Sequence, residues 1–493
     1  MKDKIAAQEP LILREMDFWQ VPGLALTVVK KGQEPYTKAF GWRDKERDLK
    51  ATDTTLFGIA SCSKAMTSAL IARLVAEGLL DYDTPVIHYI PDFALMDKEA
   101  TAKMTLRDML CHRTGLGGHD AIWPVAKNLK EFTQAFPYLQ PSAPFRSRPQ
   151  YSNILYAAIG LLAETVTGKP WAELMQTYIF DPLGMTGANC QAEALSNSVD
   201  FAHPYQVLEG KLTKLPIWNV DVVAPAASVN CTAIDMSKWL TFLISKGREK
   251  EGLPWIPESI FETMIAKQVN FPDALGSQAD LYPTDGYAMG WQTGSYRGRS
   301  ICKHMGKIEG YSSIQAFLPD DQIGISILLN LHSPAVSITH TLLYTLLDTL
   351  LALPKVDWTH KFRSDIRPTA EDYQDCTLDF FSARFPDSLQ DAIPSQNLSS
   401  AYSLKDCQGV YYNPGYGLLT IESREGQLYM NYRDMSLPMT PCWTGNFRVT
   451  GVKEDILTLT LPLSFIWNAQ GKSIGLRIPF ELLVDDILFL KKD

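Results

Sequence analysis

The chain has 493 residues, with 46 Lys plus Arg against 55 Asp plus Glu and a formal charge of −9 at neutral pH. The acidity is spread along the sequence with no like-charge block and no basic footprint, which argues against a nucleic-acid partner. A hydrophobic fraction of 46% with 11% aromatic residues excludes a disordered chain, and the length implies two or three folding units instead of one core.

Met1 to Glu15 mixes Lys2, Asp3, Lys4, Glu9, Arg14 and Glu15 without an apolar core region, so the expected location is cytoplasmic. The most apolar long stretch, Ile338 to Leu353, is interrupted by His340 and Asp348. It falls short of the ~20 residues of a membrane span and reads as a buried helix. The eight cysteines are scattered, with no C-x-x-C pair and no His at metal-ligand spacing, which predicts free buried thiols.

In chain order, Leu24 to Val29 and Tyr36 to Trp42 read as a hairpin at a sheet edge, turned by Lys30-Lys31-Gly32-Gln33. Ser61 to Gly78 reads as a largely buried helix, and Thr105 to Leu110 and Asn153 to Thr167 as further helices, the second stopped by Gly168-Lys169-Pro170. From residue 288 the period changes, predicting strands over Ala288–Thr293, Ser300–His304, Ser312–Leu318 and Gly324–Leu329, closed by a helix over Ala335–Leu353. Strands from both chain ends with helices between them predict one α+β unit, an antiparallel sheet flanked by helices, over residues 1–355. Residues 356–400 read as a linker with one amphipathic helix, Tyr373 to Phe385. Residues 401–493 read as a small all-β barrel, with strands at Gly409–Tyr412, Gly417–Glu422, Gln427–Tyr432, Ile456–Leu461, Ser464–Trp467, Ile474–Ile478 and Asp486–Leu490.

Three short patterns could carry chemistry. Ser61 at the head of a buried helix lies beside unpaired N–H groups, and Lys64, three residues on, shares its face. A desolvated Lys loses proton affinity and can take the Ser proton. A second S-x-x-K, Ser300 to Lys303, sits in a strand, where residues three apart point to opposite faces, so only the helical setting singles out Ser61. Tyr151-Ser152-Asn153 precedes a helix: a phenol near a cationic Lys would ionise more easily and relay a proton, and the Asn amide could bind Lys and a substrate carbonyl together. His304-Met305-Gly306 ends a strand, where Gly306 lets a substrate lie close and the Lys307 N–H could serve as an oxyanion donor.

In this order, S-x-x-K, Y-x-N and H-x-G resemble the serine β-lactamase and penicillin-binding-protein superfamily, in its class C-like branch of esterases, D-aminopeptidases and acyltransferases. Leu79-Leu80-Asp81, Met104 to Leu116, Asp181 to Met185, Thr232 to Leu240 and Met289-Gly290-Trp291 extend the likeness over residues 20 to 350. Gly409 to Gly417 resembles a lipocalin-like barrel appended to some members. The resemblance implies Ser61 as the acylated nucleophile, Lys64 and Tyr151 as its proton-transfer partners, and Asn153 as the residue that positions Lys64 and substrate. His304, Gly306 and Lys307 would line the substrate strand, with the N–H groups of Ser61 and Lys307 as the oxyanion hole. It implies an ester, an amide or a short peptide as substrate and no metal or organic cofactor. His304 stands where most β-lactamases carry Lys, a departure that argues against efficient antibiotic hydrolysis. An acyltransferase shares every one of these residues, a non-catalytic scaffold is the third reading, and the exposed strands of a barrel leave a homo-oligomer open.

Overall fold

A computed structural model describes residues 1–125, 128–208, 210–248, 254–271, 284–332, 335–364, 404–433, 435–443, 446–452 and 458–492. The period-2 run of the first strand, β1 (Gly23–Lys30), sends Leu24, Leu26 and Val28 into one core and Ala25 and Val29 into another, so the sheet is buried on both faces. Next along the chain come β2 (Tyr36–Asp44) and β3 (Leu49–Lys50). Two short ladders follow: β4 (Phe57–Gly58) pairs with β7 (Asn230–Cys231), and β5 (Tyr205–Leu208) with β6 (Lys211–Lys214). The C-terminal half of the sheet consists of β8 (Val269–Asn270), β9 (Thr284–Tyr287), β10 (Gln292–Tyr296), β11 (Arg299–Ile308), β12 (Tyr311–Leu318) and β13 (Ile323–Leu329). The nine antiparallel strands run β3-β2-β1-β13-β12-β11-β10-β9-β8.

The first hairpin is therefore not at the edge. Leu24 of β1 faces Phe40 on one side and Leu329 of β13 on the other, and the two-residue β3 forms the rim. The predicted strand over 288–293 holds only at Gln292 and Thr293, which open β10. Ala288, Met289 and Trp291 are fully buried beside the helix Ser63–Ala76, and Gly290, at φ +79°, would place a Cβ 2.8 Å from the Lys64 carbonyl. The apolar run packs against that helix between β9 and β10 instead of joining the sheet. The strand carrying His304 is longer than expected and runs on through Lys307 to Ile308. The predicted Tyr373–Phe385 helix lies outside the described residues.

One sheet face packs on the helices Glu9–Phe18 and Ala335–Leu351. The other packs on Ala233–Ile244 and on the Ser63–Ala76 and Asn153–Thr167 pair. The last of these matches its sequence boundaries, with Gly168 at φ +71° as the left-handed stop. Among the described residues no helix is long and apolar enough to cross a membrane. Cys62, Cys111, Cys190, Cys231, Cys302 and Cys407 are free and buried.

Beyond the linker, β14 (Gly409–Asn413), β15 (Gly417–Arg424), β16 (Gln427–Tyr432), β17 (Met435–Trp443), β18 (Asn446–Val452), β19 (Thr458–Trp467), β20 (Ser473–Ile478) and β21 (Ile487–Lys491) close into a barrel, Tyr411 pairing with Lys491 at the seam. Tyr411, Leu419, Met430, Leu437, Val449, Leu463, Leu476 and Phe489 fill its interior. Pro438 and Pro441 hide β17 from a sequence reading, because proline lacks the ladder donor that a strand calls for. The two predicted strands on either side of Pro462 are one strand, in which Pro462 sits opposite Arg448.

The Asn153–Thr167 helix meets residues 224–227 at Gly160, where a Cβ would lie 2.3 Å from Pro225 Cγ. We therefore expect Gly160→Ala to lower stability by ~1–3 kcal/mol through overpacking, measured by urea unfolding. It should also depress activity, since Ala226 next to that proline holds Lys64.

Candidate active site

Ser61 lies in a 3-10 turn, Ala60–Cys62, immediately before the helix Ser63–Ala76, and not in its first α-helical turn as the sequence suggests. Ala60 is the reason the chain turns so sharply: it adopts φ +47°, a conformation that costs a side-chain-bearing residue ~1 kcal/mol or more. The surroundings over-determine it. Ile59 N–H donates to Val229 O at 2.9 Å and Ser63 Oγ to Ala60 O at 2.6 Å. Ser313 Oγ donates to Ile59 O at 2.7 Å, Gln315 Nε2 to Cys62 O at 2.9 Å and Cys62 Sγ to His304 O at 3.2 Å, which ties the turn to β11 and β12. At Gly306 a Cβ would stand 2.2 Å from Ile59 O and 3.0 Å from Ser61 N, so only glycine lets β11 approach the turn this closely.

Lys64 projects from the helix back to Ser61, with no exposed surface. Its Nζ lies 3.1 Å from Ser61 Oγ, 2.7 Å from Asn153 Oδ1 and 3.1 Å from Ala226 O. Burial lowers its pKa to about 7, partly opposed by the charge of Asp120. The Tyr151 ring centroid is 4.8 Å from Lys64 Nζ, which itself reaches Ser61 Oγ. The sequence suggests a phenol that ionises more easily. Burial instead pushes Tyr151 upward, and the Ser61 contact only partly offsets it. Ser61, Lys64, Tyr151 and Asn153 thus converge from two separate stretches of chain. The second S-x-x-K does not form such a pair: Ser300 is exposed and Lys303 is buried on the opposite face of β11.

His304 is buried, and both of its ring nitrogens are engaged. Nδ1 lies 2.6 Å from Met305 O, which can only accept, so this nitrogen carries the proton; Nε2, 2.8 Å away, accepts from the Tyr287 hydroxyl. Burial first, then the Lys64 charge, lowers its pKa to about 3, which keeps the ring neutral. His304 therefore offers the pocket neither a cation nor a free ring nitrogen. Lys307 pairs with Ser312 of β12, and β10 pairing ends at Lys303, so among the described residues the β10-side edge of 304–308 has no neighbouring strand.

The sequence reading missed three members of the site. Asp120 accepts from Asn153 Nδ2 at 3.2 Å, which takes one of the two N–H groups of the amide that a substrate carbonyl was expected to use. Its carboxylate keeps solvent contact at the pocket mouth, yet burial and then Glu481 raise it to about 6 against the pull of Asn153. Tyr287 occupies Nε2 of His304, and the His112 ring lies tilted with its centroid 4.4 Å from that of Tyr151 while its Nδ1 accepts the Ser152 N–H at 3.2 Å. Burial lowers the pKa of His112, so it too is neutral. The stretch from Met104 to Leu116 contains His112 and could have pointed to it; Tyr287 leaves no local signal. Among the described residues no group of three or more His, Cys, Asp or Glu is placed to hold a metal ion.

Comparison with known proteins agrees with this arrangement of sheet and helices. The Beta-lactamase family model matches residues 13–347. Among curated relatives, the unguisins hydrolase ungD of Aspergillus violaceofuscus is 26% identical over 95% of this chain and 87% of its own, and Protein flp of Staphylococcus aureus is 23% identical over 66% and 63%. Among solved structures, the octameric penicillin-binding protein homologue from Pyrococcus abyssi superposes with a TM-score of 0.58 at 20% identity, covering 98% of this chain and 99% of the other. The D-amino acid amidase from Ochrobactrum anthropi SV3 gives 0.58 at 21%, covering 71% and 98%. With a family model matching residues 13–347, well over half of its length, the chain belongs to the beta-lactamase family.

Proposed function

We propose that the protein is a serine hydrolase that forms an acyl-enzyme on Ser61 and cleaves ester or amide bonds of small molecules or short peptides. The observation that carries this reading is the set of atoms around Lys64 Nζ. Asn153 Oδ1 and Ala226 O can only accept, so they take the two N–H groups of a neutral amine, and its lone pair is left facing the Ser61 hydroxyl. A pKa of about 7 makes that neutral form available. Lys64 then removes the Ser61 proton as Oγ attacks the carbonyl carbon, and the oxyanion turns toward the N–H groups of Ser61 and Lys307. As the C–O or C–N bond breaks, the Tyr151 hydroxyl gives its proton to the leaving group and regains one from the Lys64 ammonium. Water attacks the acyl-enzyme by the reverse relay, which returns the proton to Ser61.

The neutral His304 supplies no cation for a β-lactam carboxylate, so the reading favours substrates without that anion. The fungal unguisins hydrolase, alike over nearly the whole chain, supports hydrolysis. The barrel is carried in the same proposal as lipocalin-like, on the Gly409–Gly417 resemblance.

A fluorophosphonate should label wild-type protein at Ser61, located by peptide mass mapping, and should leave Ser61→Ala unmodified; an unlabelled wild type rejects the acyl-enzyme. For an uncharged ester, kcat/KM should rise with pH through about 7 and then level, because below that point the Lys64 ammonium has no lone pair. Lys64→Met should lose ~10²–10⁴-fold and the rising limb with it, read by stopped-flow or plate assay from about pH 5 to about pH 9. Gly306→Ala should reduce kcat ~100-fold by pushing the nucleophile turn aside, with a circular dichroism spectrum like that of the wild type.

A further inference from the structure

The Gly117–Asp120 loop lies between the catalytic centre and the barrel, and the barrel holds this segment at three points. Glu481, buried between β20 and β21, accepts the His119 N–H at 2.7 Å through Oε2 and the Leu483 N–H at 3.0 Å through Oε1. Tyr416 donates its hydroxyl to His119 Nδ1 at 2.7 Å: Nε2 faces the Gln140 carbonyl at 3.0 Å, so the ring proton sits there. Tyr432 donates to Ala121 O at 3.2 Å. The grip is needed, because His119 adopts φ +46°, which a side-chain-bearing residue leaves unless held. A Cβ on Gly118 would lie 3.5 Å from Glu481 Oε2, and one on Gly117 3.7 Å from Glu481 Cδ, ordinary contact distances that place the loop directly against the barrel carboxylate. The next residue is Asp120, whose carboxylate takes Asn153 Nδ2, while Asn153 Oδ1 takes Lys64.

We propose that Glu481 and Tyr416 are positioning residues of the active site: through His119 the barrel holds Asp120 against Asn153, and Asn153 in turn aims the Lys64 amine at Ser61. The inference rests on the acyl-enzyme reading above. It makes the barrel a working part of the catalytic centre, joined to it across 362 positions of sequence.

The charged groups involved give the proposal a readout beyond stability. Lys64 faces Asp120, Tyr151, Cys62 and the neutral rings of His304 and His112, and of these the Asp120 carboxylate favours the ammonium. Asp120 in turn faces Lys64 and Glu481. Removing the Asp120 charge, or letting its loop drift from Lys64, must therefore move the rising limb of the pH profile to lower pH.

The test uses the full chain and the uncharged ester. Asp120→Asn keeps an acceptor for Asn153 and loses only the charge. It should shift the limb down by roughly half a pH unit, a ~3-fold gain at a fixed pH on the limb relative to the plateau. Glu481→Ala should shift it in the same direction with a lowered plateau, Tyr416→Phe should do so less, and the double variant Asp120→Asn/Glu481→Ala should move it no further than Asp120→Asn alone. Asp485→Ala, which cuts only the exposed barrel contact with Gln140, should leave both limb and plateau unchanged. An unmoved limb in folded Glu481→Ala, or a shift that adds to that of Asp120→Asn, overturns the proposal. If Glu481→Ala does not fold, Glu481→Gln, which has one acceptor for two N–H groups, and Tyr416→Phe decide by the same criterion. Fluorophosphonate labelling of Ser61 in the same samples separates this failure from a failure of the acyl-enzyme reading, which would remove both.

Discussion

Everything in the centre depends on one buried amine having two acceptor-only neighbours. A lysine in water is solvated as an ammonium; Lys64 has no exposed surface, and the nearest carbonyl oxygens are those of Asn153 and Ala226. Two N–H groups saturate them, and the remaining valence is a lone pair pointing at a hydroxyl 3.1 Å away. Desolvation alone would give a neutral amine of no particular direction. The acceptors supply the direction, and they come from helices at residues 153 and 224–227, which are held together where Gly160 meets Pro225. Packing between helices is in this way converted into the aim of a base.

The hydroxyl is held with equal care by a different device. The turn at Ala60–Cys62 is unfavourable in isolation, and the sheet stabilises it with Ser313, Gln315 and the His304 carbonyl, while Gly306 leaves room for the approach. Trp239 Nε1 donates to Gln315 Oε1 at 2.8 Å and so orients the amide that holds Cys62. Strands β11 and β12 lie two and one positions from β13, which itself pairs with β1. The Ser61 hydroxyl therefore inherits its position from a sheet built from both ends of the sequence, and a folding chain cannot complete the site until those ends have met.

How much of this was legible beforehand follows from the range of each interaction. The S-x-x-K pair and the start of its helix are local, and so are the Asn153–Thr167 boundaries, because periodicity and a terminal glycine report on a few turns of chain. The pairing of β1 with β13 could be anticipated only as a class of architecture. The sharp turn at Ser61, the contact of Asn153 with Asp120, the pairing of His304 with Tyr287 and the grip of Glu481 on His119 depend on groups brought together by tertiary structure. No period or spacing encodes them. Strand β17 failed for another reason: its prolines carry the signal of a break, and the barrel accommodates one of them at a register shift after Pro441.

The electrostatic design explains why a neutral histidine suits position 304. A general base works best when its proton affinity matches the pH at which it operates. For Lys64 two influences oppose each other: burial drives the proton off, and the Asp120 carboxylate holds it on, leaving the amine near 7. A fixed cation on β11 would add to burial and weaken the base further. His304 cannot become that cation within the working range, since its pKa lies at about 3 and Tyr287 and Met305 occupy its nitrogens. Among the described residues Asp120 is then the carboxylate that adjusts the amine, and its distance from Lys64 becomes the variable that matters. The loop before Asp120 has its His119 N–H and ring held from the barrel side, so on the proposal made above the proton affinity of Lys64 is set partly by the barrel.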